Sequence, residues 1–105
     1  MFVSTARWTI KDLDAATKSV KETVALLREK TVAQSCSWFK VVEGNNPDQY
    51  QFVIRYENRA DWETGREAMA ADRDRILADM KAVGNILEEV TFLEEVDLPE
   101  EVSAV

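Results

Sequence analysis

The sequence predicts an α+β sandwich in which two helices cover one face of a four-stranded antiparallel sheet. Three observations predict this fold class. Residues 2–10 and 49–57 alternate between apolar and polar side chains, as strands with one buried face do. Residues 12–31 and 58–85 carry apolar side chains at steps of three and four, which is typical of helices lying on a sheet. The chain has 105 residues, 46% of them hydrophobic, which suits a single domain with one core.

The first strand is followed directly by the first helix. In residues 2–10, the large side chains of Phe2, Trp8 and Ile10 fall on one face. Asp12 is the predicted N-cap of the helix, which is expected to end near Lys30. The apolar stripe of this helix consists of Leu13, Ala16, Val20, Val24 and Leu27.

A β-hairpin is predicted next, with strands in residues 33–43 and 49–57. The five residues between them, Gly44-Asn45-Asn46-Pro47-Asp48, are all turn formers. Large apolar side chains occupy every second position of the later strand: Tyr50, Phe52, Ile54 and Tyr56.

The second helix is predicted to start at the N-cap Asn58 and to end at Gly84-Asn85, where a left-handed residue stops it. Its apolar stripe comprises Trp62, Gly65, Met69, Ile76, Met80 and Val83. Residues 86–96 are predicted to form the last strand. The domain is therefore expected to span residues 1–98, with an acidic tail at 99–105.

The element order β-α-β-β-α-β is that of the ferredoxin-like sandwich, in which the first and third strands are central neighbours. The sheet face away from the helices is expected to mix polar and apolar side chains. For the last strand two assignments to that face stay open: Leu87, Thr91 and Leu93, or Val90 and Phe92. A mixed face is typical of a subunit interface, so a homodimer formed sheet to sheet is expected. The alternative is a monomer with a partly hydrated sheet face.

Composition excludes several function classes. The formal net charge of −7 argues against nucleic acid or an anionic membrane as partner. The chain has no His and one Cys, Cys36, so neither a metal centre nor a His-dependent catalytic triad is expected, and no cofactor is predicted. Cys36 is interpreted as a buried structural thiol. A lone thiol and the lack of a signal-peptide pattern favour the cytoplasm.

The segment Tyr50–Trp62 carries a resemblance to a known family. Its strand ends in Tyr56-Glu57 and is followed by the polar cap Asn58 and a helix that opens with Asp61-Trp62. This pattern resembles the antibiotic biosynthesis monooxygenase-like branch of the dimeric α/β-barrel superfamily, over roughly residues 2–96. The resemblance implies a sheet-to-sheet homodimer with a ligand pocket between the sheet and the helices of each subunit. It also implies, for an enzyme, cofactor-independent oxygenation of an aromatic substrate.

A haem-degrading branch of the same superfamily uses an Asn on the first strand, a Trp at the end of the third strand and a His on the second helix. By position, the first two correspond here to Ala6 and Tyr56, and the His has no counterpart. Haem degradation by that route is therefore not expected.

The candidate site is an aromatic cavity beneath the helices. Tyr56 is predicted as its catalytic polar group, in contact with a small phenol or quinol. Its expected substrate-binding residues are Trp8, Ile54, Trp62, Trp38 and Met69. The alternative is an ordinary filled core, with the space occupied by Met69 and Ile76.

Two arginines are predicted on the opposite sheet face, in the interior of the dimer barrel. Arg7 and Arg55 are expected side by side on the central strands. They either hold an anionic ligand or, as we favour, pair with carboxylates, since a buried Arg needs one. The candidate partners are Glu89, Glu57 and Glu95, in the same subunit or in the other subunit of the dimer.

Overall fold

The computed structural model describes residues 1–44 and 46–103, and over these residues the chain forms one sheet in the order β2-β3-β1-β4. All three ladders are antiparallel, so the predicted ferredoxin-like topology is confirmed. The elements are β1 (Phe2–Thr9), α1 (Leu13–Lys30), β2 (Ser35–Lys40), β3 (Gln49–Tyr56), α2 (Arg59–Ala68), α3 (Ala70–Ala82), β4 (Ile86–Glu94) and α4 (Glu100–Ser103).

Several segments differ from the prediction. The first hairpin strand, β2, spans Ser35–Lys40 rather than residues 33–43, and the last strand ends at Glu94 rather than residue 96. A short helix, α4, forms in the tail. Asn45 of the hairpin connection and residues 104–105 of the tail lie outside the described residues. Within the described part of the chain, no helix is both long and apolar enough to cross a membrane.

The apolar face of the sheet lies under the helices, as its alternation predicts. Cross-strand register pairs Phe2 with Tyr56 and Ala6 with Phe52, which puts these side chains on one face. The buried core contains Phe2, Trp8, Ile10, Ala16, Leu27, Phe52, Tyr56, Trp62, Met69, Ile76 and Met80.

Both predicted N-caps are present. The Asp12 side chain accepts a hydrogen bond from the Ala15 N–H at 3.0 Å, and that of Asn58 accepts from Asp61 at 2.9 Å. Each cap satisfies an N–H that has no partner within the helix.

The prediction of one continuous second helix is wrong, because the helix bends at Met69. There the backbone has φ −96° and ψ −1°, away from the usual helical ψ near −42°. The Met69 N–H still donates to the Gly65 carbonyl, and the Met69 carbonyl accepts from Arg73. The bend lies where the Met69 side chain packs with Leu27 and Phe52.

The end of α3 is a Schellman motif. Gly84 has φ +84°, its N–H donates to Lys81, and the Asn85 N–H donates to Met80. Val83, expected in the buried stripe, is 40% exposed because it lies in this cap beyond the helix.

Asn85 ties this turn to the start of α1. Its side chain is 1% exposed, and its Oδ1 accepts from the N–H groups of Lys11 and Asp12 at 2.8 and 2.9 Å. Its Nδ2 donates to the Asp12 carbonyl at 3.1 Å and contacts the Met80 sulfur at 3.5 Å. The amide is thus bonded on both sides, as a buried polar group must be.

A bulge in β4 settles which of its side chains face the helices. Arg7 pairs with Glu89 but Trp8 pairs with Leu87, so Glu88 is an extra residue. Leu87 therefore joins the helix-facing side. Of the expected set Leu87, Thr91 and Leu93, only the last two face away from the helices. Val90 and Phe92 face the helices, whereas Thr91 and Leu93 face away.

Arg7 and Arg55 both lie on the face away from the helices, but they are not side by side. Arg55 is opposite Val3 in the register and Arg7 is opposite Gln51, four positions farther along β1. At roughly 3.3 Å per residue this separation is about 13 Å.

The two arginines also differ in their partners. Arg7 pairs with Glu89 at 3.1 Å, one of the predicted carboxylates. Arg55 instead donates to the hydroxyls of Ser37 at 2.8 Å and Ser35 at 3.4 Å. Among the described residues of the protomer Arg55 has no carboxylate partner, because the facing positions of β2 are serines. Its pairing with a carboxylate of the other subunit stays a prediction.

Candidate functional site

A cavity of about 360 Å³ lies between the sheet and the helices. This volume is in the range of small-molecule sites. Its floor is formed by β1, β3 and β4, through Ser4, Ala6, Trp8, Phe52, Ile54, Tyr56, Leu87, Val90 and Phe92. Its roof is formed by α1, α2, α3 and the residue between the last two, through Thr23, Leu27, Trp62, Arg66, Met69, Arg73, Ile76 and Leu77.

Aromatic rings build one end of the cavity. The indole of Trp62 stacks on Phe2 and contacts Phe92, with 4.7 Å between the ring centroids in each case. Trp62 is 8% exposed, whereas Phe92 is 45% exposed. The cavity is therefore open along β4, the sheet edge that the helices leave uncovered.

Tyr56 lies beneath α2 and is 3% exposed. Burial raises the pKa of its phenol above the ordinary value near 10, and a hydrogen bond with Thr31 partly offsets that rise. Its ring lies directly under Gly65, where a Cβ atom would stand 2.9 Å from the Tyr56 Oη. The Tyr56 hydroxyl is therefore protonated at neutral pH, and the missing side chain of Gly65 leaves room for it.

Five polar residues line this otherwise apolar space: Ser4, Thr23, Tyr56, Arg66 and Arg73. The guanidinium carbon of Arg66 lies 5.3 Å from the ring centroid of Trp62 and 5.9 Å from that of Phe92. Among the described residues that line the cavity there is no carboxylate. In residues 1–44 and 46–103, no cluster of three or more Cys, Asp or Glu side chains is placed to hold a metal ion.

The structure brings five of the predicted site residues to this cavity: Trp8, Ile54, Tyr56, Trp62 and Met69. Trp38 is not among the lining residues. Its indole stacks on Tyr50 at 5.3 Å and meets the edge of Phe52 at 6.4 Å, on the β2 side of the sheet. Ile76 lines the cavity together with Met69, and the two leave it unfilled.

The sequence interpretation missed Arg66 and Arg73. Each follows a residue of the buried stripe by four positions, Trp62 and Met69 respectively, which places it over the same helix face. That spacing is the signal that could have identified them.

Cys36 lies on the helix-facing side of β2, opposite Ile54, and is partly buried. Burial raises the pKa of its thiol, and the positive charges of Arg55 and Arg28 partly oppose this. Its surroundings fit the predicted structural thiol rather than an activated nucleophile.

Several solved structures share this fold over nearly the whole chain. A candidate antibiotic biosynthesis monooxygenase from Deinococcus radiodurans superposes with a TM-score of 0.72 at 12% identity, covering 95% of this chain and 97% of that one. SnoaB, a cofactor-independent oxygenase from Streptomyces nogalater, gives 0.69 at 12% identity, covering 94% and 96%. A dimeric ferredoxin-like protein from an uncultured marine organism gives 0.66 at 14% identity, covering 90% and 97%.

No protein family model and no curated protein sequence matches the chain. The fold is thus shared with antibiotic biosynthesis monooxygenase-like ferredoxin-like proteins, and the predicted resemblance is confirmed at the level of fold.

Proposed function

We propose that this protein is a homodimeric, cofactor-independent monooxygenase-like enzyme that acts on a small phenol or quinol. The observation that carries the proposal is the open, aromatic-walled cavity of about 360 Å³ that Tyr56 lines. A filled core, the expectation for a purely structural dimer, would leave no such space. The fold shared with SnoaB, which is a cofactor-independent oxygenase, supports the same function.

The proposed chemistry takes its electrons from the substrate. A phenolate gives one electron to O₂, and the resulting superoxide and phenoxyl radical combine at a ring carbon. The hydroperoxide so formed loses water and leaves a quinone. One oxygen atom stays in the product and the other leaves as water, so the four electrons lost by the substrate equal the four gained by O₂.

The residues have separate roles in this proposal. Tyr56 donates a hydrogen bond to the substrate oxygen and stabilises the phenolate. Trp8 and Trp62 hold the aromatic ring, while Ile54 and Met69 keep water from the radical pair.

One observation favours a second candidate, a non-catalytic ligand-binding dimer. Among the described lining residues, the side chains that can exchange a proton are a Tyr with a raised pKa and two Arg, and none of these is a base at neutral pH. An enzyme with this lining requires a substrate that ionises on its own at the working pH. Phenols and quinols whose hydroxyl has a low pKa are therefore the substrates to test first.

Oxygen uptake with a panel of quinols and acidic phenols tests the enzyme. The parent should consume one O₂ per quinone formed, and Tyr56→Phe should be slower by about tenfold, the cost of one hydrogen bond to a charged oxygen. Tyr50→Phe is the matched control, because Tyr50 lies outside the cavity lining. Equal rates for Tyr56→Phe and the parent would remove Tyr56 from the mechanism. Ligand binding without oxygen uptake would favour the second candidate.

The proposed dimer joins the sheet faces that point away from the helices. On that face Phe39 and Leu93 are 48% and 51% exposed. Val53 and Arg55 lie on the same face, on the central strand β3. Light scattering should give about twice 12.0 kDa. Arg55→Glu should weaken association, because it puts a carboxylate beside Ser35 and Ser37 in the interface, while Arg28→Glu on α1 serves as the control. A monomeric parent would refute the interface.

A further inference from the structure

The charge of the cavity lining is opposite to that of the whole protein. The chain carries 20 acidic and 13 basic side chains. The described lining nevertheless contains two arginines, Arg66 and Arg73, and no carboxylate. A neutral apolar ligand does not need a cationic lining, so this distribution itself calls for an explanation.

Neither arginine has a counter-ion in the described part of the chain. No carboxylate there lies within 4.0 Å of Arg66 or Arg73, although other arginines form such pairs. Glu63 and Glu67 share a shallow outer groove with both arginines. Glu63 is already paired with Arg59 at 3.2 Å.

Both side chains are exposed although they line the cavity, which places them at its opening. The Arg66 guanidinium is held over the rings of Trp62 and Phe92, so it has a defined position at this rim. Planar guanidinium groups bind carboxylates through paired hydrogen bonds and remain charged at any physiological pH.

We propose that the ligand of this cavity is an aromatic acid: its ring enters between Trp8 and Trp62, and its carboxylate binds Arg66 and Arg73 at the opening. The inference rests on the proposed function only in taking this cavity as the ligand site. It adds the chemical class of the ligand and the two residues that recognise its charge.

Isothermal titration calorimetry with 2-naphthoate and its neutral isostere 2-naphthamide tests the proposal. The parent should bind the acid about tenfold more tightly than the amide. The Arg66→Gln/Arg73→Gln double variant should lose this preference and keep its affinity for the amide. Each single variant should lose about threefold, a modest value because the exposed guanidiniums are screened by solvent. Raising the salt concentration should weaken binding of the acid only.

Arg28→Gln is the matched control, because it removes the same charge from α1 at a site outside the cavity. Equal affinity of the parent for acid and amide would overturn the proposal, as would a preference that survives in the double variant or a failure to bind either ligand. The first comparison uses the parent alone, so it does not depend on the folding of any variant.

The calorimetric result is independent of turnover. A preference for the acid without oxygen uptake on any phenol supports this inference and contradicts the oxygenase. Uptake on neutral quinols with no preference for the acid supports the oxygenase and contradicts the inference.

Discussion

Replacing Asn85 with Ala should destabilise the protein more than most single polar substitutions. The buried amide makes three hydrogen bonds to the backbone of Lys11 and Asp12, and Ala leaves two N–H groups and one carbonyl without these partners. An unsatisfied buried group costs about 1–3 kcal/mol. Because these backbone groups are only partly buried, water recovers part of that cost, and we expect a total loss of about 2–4 kcal/mol.

Thermal and urea unfolding at one fixed protein concentration measures this loss, since the proposed dimer would make stability depend on concentration. At about 4 °C per kcal/mol for a domain of this size, the midpoint should fall by about 8–16 °C. Asn46→Ala is the control, because Asn46 makes one exposed hydrogen bond, to the Asp48 N–H at 3.0 Å. Amide exchange at residues 11 and 12 should accelerate in Asn85→Ala. A loss below about 1 kcal/mol with unchanged amide exchange would refute the role of Asn85 in linking the end of α3 to the start of α1.

Three further predictions concern Tyr56 and its neighbourhood. Gly65→Ala should lower the free energy of unfolding by about 1–3 kcal/mol, because the added Cβ atom would stand 2.9 Å from the Tyr56 hydroxyl oxygen. This clash outweighs the better helix propensity of Ala. Thr64→Ala, at an exposed neighbouring position, is the control and should not destabilise the fold. The raised pKa of Tyr56 means that the unfolded phenol ionises first, so the free energy of unfolding should fall as pH rises through 10. Tyr56→Phe should flatten that fall in urea titrations, and an unchanged slope would contradict the shift. Burial raises the pKa of Cys36, so a thiol reagent at pH 8 should react faster in denaturant than in the native protein; equal rates would show an exposed thiol.

Local chemistry determined what the sequence could predict about the fold. Asp12 and Asn58 were identifiable as caps because a cap depends on residues within one helical turn. The bend at Met69 left no such signal, because Met is a good helix former and the bend occurs where its side chain packs on the sheet. The β4 bulge was hidden for a related reason: it exists only in the pairing of β4 with β1.

The candidate site was predictable to a similar degree. Alternation along β3 placed Tyr56 on the helix-facing side, but it could not distinguish Trp38 from Trp8. Both face the helices, and only the strand order puts Trp38 away from the cavity, on β2. The arginines at the opening were missed because a charged residue on a helix is ordinarily solvated, and its place beside a cavity depends on how the helix lies on the sheet.

The bulge at Glu88 has a consequence for how β4 can change in length. Successive side chains of a strand point to opposite faces of the sheet. Deleting one ordinary residue therefore sends every later side chain to the opposite face. Removing Glu88, the residue without a ladder partner, would leave Leu87 toward the cavity and Glu89 toward Arg7. It would cost the hydrogen bond that the Thr9 hydroxyl donates to Glu88 at 2.8 Å. Glu88 is therefore a position where this strand can lose a residue while the face toward the cavity and the face away from the helices keep their composition.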